Sequence, residues 1–163
     1  MEQKSFWHYV GVTLLSWLSV IGFDFLLHAS ILAPLYAEPH PFLLPTERAF
    51  ALIPIGYLSF LIFVILVVWL MVKLEITSWR GGFFFGLKLG ALVWGAVVIS
   101  LISISSAPLL LMAGWFAGQT IETGIAGLVI GAGLGPTKLR RLAAWVLLFV
   151  LVAFILAILL QNI

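Results

Sequence analysis

Four ionisable residues, Asp24, His28, Lys88 and Glu122, lie inside apolar stretches of this chain. Placing a charge at the centre of a bilayer costs about 2.5 kcal/mol or more, so each of them asks for a reason. Asp24 and His28 stand four residues apart, on one face of a helix and within hydrogen-bonding reach. Such a pair can hold a proton or contribute to a metal site. His28 can also serve as the axial ligand of a haem or chlorophyll-type pigment. The same spacing suits a carboxylate neutralised by its neighbour, locking the first helix to the second.

Glu122 is the most informative of the four. Gly114, Gly118, Glu122 and Ala126 follow one another in steps of four, so the carboxyl rises from a stripe of small residues. Such stripes mark close helix contacts, which places Glu122 toward the interior of a bundle. Gln119, three residues earlier, is positioned to bond it. The group reads as a proton or cation site, or a polar anchor for a ligand. The alternative is a protonated carboxyl bonded across helices. Lys88 is expected to snorkel along its aliphatic stem to the nearer surface, with an ion pair to Glu122 as the other reading.

A polar rim is expected outside these residues. Glu38, His40, Glu47 and Arg48 fall in one loop above His28, and Ser100, Ser103 and Ser106 recur every third residue. Together they could border an outward-facing cavity. An ordinary solvated loop, with serines bonded to their own helix, fits the same residues.

The elements that must position these side chains follow from composition. Hydrophobic residues make up 64% of the 163 and charged residues 9%, against about 25% charged in soluble proteins. Only lipid can solvate so much apolar surface. A span needs about 20 such residues, and five segments qualify: 9–33, 49–72, 83–105, 109–134 and 142–160. Pro34, Pro45, Pro108 and Pro136 punctuate them. The expected fold is therefore an all-α integral membrane protein, one compact bundle of five transmembrane helices. The segment 10–33 is too long for the apolar core of a signal peptide and carries Asp24 and His28, so it is read as a retained helix.

Orientation follows from the short loops. Five spans put Lys4, Lys73, Arg80, Lys138, Arg140 and Arg141 on one side, with Lys88 close to it, and Arg48 alone on the other. The basic side is cytoplasmic by the positive-inside rule, leaving the C-terminus outside. Trp7, Tyr9, Trp79, Trp115 and Trp145 fall near span ends, where aromatic residues anchor helices to the interface. The fifth segment has no charged side chain between 142 and 160, so it is expected at the periphery. Gly82, Gly86 and Gly90, with Gly127, Gly131 and Gly135, would let the third and fourth helices approach closely.

Several function classes drop out. The chain has no cysteine, which removes disulfides, zinc–thiolate sites and thiol catalysis. Eight basic residues with no long basic run do not suit nucleic-acid binding. The Gly131-Ala132-Gly133-Leu134-Gly135 run lacks the Gly-Lys-Ser/Thr ending of a phosphate loop, and no hydrolase or metalloprotease motif is present. Five helices in so short a chain is the plan of the tryptophan-rich sensor family. None of the seven tryptophans here lies within three residues of a proline, so that family's Trp-Pro motifs are missing and nothing is carried over.

The expected function is that of a non-catalytic subunit or accessory factor of a larger membrane complex, in a cell membrane and most simply a bacterial inner membrane. Short loops and the wholly apolar last helix favour this, with lipid and other membrane subunits as partners. The alternative is a small proton-linked transporter or ligand-binding protein using Glu122, Gln119, Asp24 and His28 in an outward-facing cavity.

Overall fold

In a computed structural model that describes residues 4–37 and 41–162, the chain is helical throughout, with no strand among those residues. Helix α1, Phe6–Leu26, begins where the Ser5 hydroxyl accepts the His8 amide at 3.3 Å. It runs into a π-helical turn, Leu27–Ile31, and then a short α2, Ala33–Tyr36. Helices α3 (Thr46–Lys73), α4 (Trp79–Ile104), α5 (Leu109–Leu134) and α6 (Leu139–Gln161) follow. Proline stands directly before α3 and α5, and Ser78 caps α4 by accepting the Gly81 amide at 3.1 Å.

Two expectations about boundaries change. Pro34 does not stop the first helix at 33, because proline is tolerated in an N-terminal turn and there opens α2. The break comes earlier, as the π turn. Helices α3, α4 and α6 also start before the apolar segments do. Their first turns carry Glu47 and Arg48, Arg80, and Arg140 and Arg141, side chains that hydropathy discounts but a helix terminus accepts.

Successive long helices run antiparallel. Lys4, at the start of α1, donates to the Gly133 and Gly135 carbonyls at the end of α5, at 2.9 and 2.7 Å. His8 meets the same Gly133 carbonyl at 2.8 Å, so two side chains satisfy carbonyls that a helix end leaves open. Helix α6 lies parallel to α1: Leu139 packs on Gly11, Val150 on Gly22 and Phe154 on Phe25. The α1 start, the α3–α4 turn and the α5–α6 turn therefore share one end of the bundle, which gathers most of the cations.

Helix α5 is the centre. Its glycines bring α4 to backbone contact: a Cβ on Gly82 would strike the Gly127 carbonyl, and one on Gly86 the Thr123 carbonyl. Gly127 and Gly131 meet the Gly82 and Ser78 carbonyls in return. The other small stripe of α5 faces α1, with Gly114 against Leu32 and Gly118 against Leu27. Helix α6 leans mainly on α1, at the edge of the bundle, as its apolar circumference suggests.

Among the described residues, four helices are long and apolar enough to cross a membrane: Phe6–Ile31, Glu47–Lys73, Trp79–Ile104 and Leu139–Gln161. Helix α5 matches α4 in length at 26 residues but is not among them. Its glycines, Gln119, Thr120, Glu122 and Thr123 dilute its hydropathy, because its surroundings are other helices. Trp7, Trp79 and Trp145 are exposed, as interfacial anchors are. Trp115 is not one of them; it turns inward, as described below.

Candidate functional site

Asp24, Gln119 and Glu122 are buried, at 9%, 5% and 3% exposure, where α1 meets the middle of α5. The stripe that carries Glu122 packs against the face of α1 that carries Asp24. The two carboxyls thus enter one pocket of structure from different helices. The Gln119 side chain approaches both of them. It also lies 3.5 Å from His28 Nε2.

His28 belongs to the π turn. A π turn closes its ring over five residues, here through the Leu32 amide donating to the Leu27 carbonyl at 2.8 Å. It widens the helix locally and re-aims the side chains it carries. Gln161 at the end of α6 donates to the Ala29 carbonyl at 2.7 Å, which ties the last helix to this turn. His28 Nε2 stands 3.3 Å from Asp24 Oδ1, and its Nδ1 stands 2.6 Å from the Tyr36 hydroxyl. Trp115 on α5 donates its indole N–H to the same hydroxyl at 2.6 Å. Burial pushes the Tyr36 phenol up to about 12, so at neutral pH it keeps its proton and remains a donor.

The indole can only donate, and this fixes the sense of the Trp115–Tyr36 bond. With Trp115 donating to Tyr36, the phenol is free to donate to His28 Nδ1. The imidazole proton then sits on Nε2 and points at the Asp24 carboxylate. When Asp24 takes up a proton from outside the cluster, the carboxyl can donate to Nε2; the imidazole proton then sits on Nδ1 facing the Tyr36 oxygen, and the phenol keeps its own proton but turns it away from His28. The Asp24–His28–Tyr36 bonds thus have two allowed senses, which differ by one added proton, while the Trp115–Tyr36 bond is the same in both.

Three acceptors are left over. Gln119 Oε1, Thr120 Oγ1 and Glu122 Oε2 are buried without a hydrogen-bond partner among the described residues. Buried polar atoms are nearly always partnered, so Gln119 Oε1 and Glu122 Oε2, beside the carboxyl cluster, mark where a proton, a water or a ligand's donor would be held, while Thr120 lies on the α4 side of α5, where Gly90 meets its backbone.

The structure thus joins Asp24, His28, Gln119 and Glu122. It does not join Lys88, which is exposed on α4 and forms no ion pair with Glu122 among the described residues. The distance along α4 leaves its ammonium free to reach the surface. Glu47 and Arg48 are exposed in the first turn of α3, and His40, like Glu38, lies outside the described residues. The serines do not line a cavity. Ser100, Ser103 and Ser106 are exposed, and Ser103 bonds the Ser100 carbonyl at 2.7 Å. A pigment at His28 does not fit this arrangement, since both imidazole nitrogens already face protein partners. No cluster of three His, Asp or Glu side chains spaced for a metal ion occurs among the described residues.

Tyr36 and Trp115 are the members that the sequence did not single out. Trp115 reads as an interfacial anchor, and Tyr36 sits in a segment that Pro34 marks as loop. An apolar cover of Leu35, Phe42, Leu43 and Trp115 packs over this end of the bundle on Leu111 and Met112. No protein-family model matches the chain, and no curated protein or solved structure is significantly similar to it.

Proposed function

We propose that this is a five-span protein, α5 included, with its N-terminus in the cytoplasm, of a cell membrane and most simply a bacterial inner membrane. Its working site is the Asp24–His28–Gln119–Glu122 cluster, which takes up and releases a proton as part of binding or moving a small ligand. The observation that carries this reading is the meeting of two carboxyls and an imidazole, from α1 with its π turn and α5, beside two unpartnered acceptors. A purely structural lock would need one satisfied pair. Ionisable groups at this depth are most often functional.

The test is a pH titration of purified protein followed by the infrared carboxyl band. A carboxyl band that changes with pH is expected, with Glu122→Gln and Asp24→Asn each removing part of the signal. A wild-type carboxyl band that does not change with pH would reduce the cluster to a structural lock.

A second reading, the accessory subunit, is favoured by the outer half of α3. Residues 47–56 are exposed on every side of the helix, and nothing lies within 4 Å of a Cβ built on Gly56. A neighbouring chain could cover three turns there. Persistent co-purification of another membrane protein in mild detergent, lost on placing arginine at Gly56, would support it. A clean homogeneous species would count against it.

A further inference from the structure

A second site lies along the C-terminal half of α5, beyond the carboxyl cluster at its middle. Helices α5 and α6 are joined by a short turn, yet α6 leans onto α1 and leaves a wedge between the two. The wedge is a cavity of about 450 Å³, within the range of ligand-binding pockets. Its walls are apolar, with Leu128, Val129, Val146 and Phe149 along its length and Trp79 and Trp145 among its lining. Ser19 and Thr137 are the polar exceptions.

The two tryptophans carry the cations. The Arg80 guanidinium lies 5.0 Å from the Trp79 ring centre, and the Arg141 guanidinium 4.6 Å from that of Trp145. Stacking on rings that line one cavity holds both positive charges beside it. Neither arginine forms an ion pair among the described residues. Glu75, the acidic residue at this end among the described residues, lines a separate crevice with Lys4 and Thr77. Lys73, Lys138 and Arg140 add further positive charge nearby.

We infer that this wedge binds an anionic glycerophospholipid, one acyl chain between α5 and α6 and its phosphate between Arg80 and Arg141. An acyl chain alone gains little here, because the surrounding bilayer is equally apolar. Selection therefore comes from the headgroup, and arginine forks suit phosphate oxygens. Basic pockets between helices recognise anionic headgroups in this way. The site is independent of the proton reading and stands if that reading fails.

The test uses the full chain in phosphatidylcholine nanodiscs containing a small fraction of phosphatidylglycerol with brominated acyl chains, which quench tryptophan on contact. Brominated phosphatidylcholine at the same fraction is the reference. The wild type should prefer the anionic lipid, by roughly fivefold for each guanidinium engaged. Trp79→Phe and Trp145→Phe should each remove part of the preferential quenching, and the pair Arg80→Gln with Arg141→Gln should abolish the preference. Lys138→Gln with Arg140→Gln, the same change in net charge, should leave it largely intact. Equal quenching by both lipids in the wild type overturns the proposal. So does an equal loss in both double variants, which would make the effect one of diffuse surface charge. Circular dichroism of each variant separates lost binding from lost helix.

Discussion

The Tyr36 hydroxyl bonds His28 on one side and Trp115 on the other, both at 2.6 Å, and so bridges α2 and α5. Removing it strands two polar groups at once. Tyr36→Phe should cost about 1–3 kcal/mol, the penalty for leaving a buried donor or acceptor unpaired. The thermal midpoint in detergent should fall, and the Trp115 contribution to fluorescence should change, with Trp115→Phe as the reference. An unchanged spectrum would mean the hydroxyl does not hold the indole.

The α4–α5 contact predicts opposite outcomes at two glycines. Gly86→Leu should destabilise by about 3 kcal/mol or more, since its side chain must displace the α5 backbone at Thr123. Gly56→Ala, in open space on α3, should be neutral or gain about 0.5–1 kcal/mol from helix propensity. Thermal unfolding of the two variants side by side checks both. Similar melting would show that the helices do not touch there.

Lys88→Met should alter stability by no more than about 0.5 kcal/mol, because the ammonium is exposed and unpaired among the described residues. The infrared carboxyl titration should also match the wild type. A shifted titration would revive the ion pair with Glu122.

Topology is testable with single cysteines, since the chain has none of its own. Arg48→Cys and Lys138→Cys should react with a membrane-impermeant maleimide from opposite sides of sealed vesicles. Labelling of both from one side would remove the five-span arrangement.

The plan of the bundle was legible because lipid imposes simple rules. Apolar length locates helices, and the glycine series of 82, 86 and 90 with 127 and 131 told which two would touch. The meeting of Asp24 with Glu122 was legible in part. Each residue's own face followed from steps of four, but their convergence required knowing that α1, not α4, covers the Glu122 stripe. Tyr36 and Trp115 were hidden because they lie 79 positions apart and no local period links them. The π turn was hidden for a different reason: one extra residue in a helical ring leaves no mark in composition. Hydropathy alone also underrates α5, since a helix enclosed by other helices has less need of a greasy surface.

The backbone-to-backbone seam between α4 and α5 has a mechanical consequence. Where side chains interdigitate, two helices can slide by exchanging rotamers; where carbonyls rest on glycine Cα atoms, there is nothing to exchange. The pair must behave as a stator. Any rearrangement that follows protonation is then left to the first helix with its widened turn, the outer half of α3, and α6 tethered through Gln161.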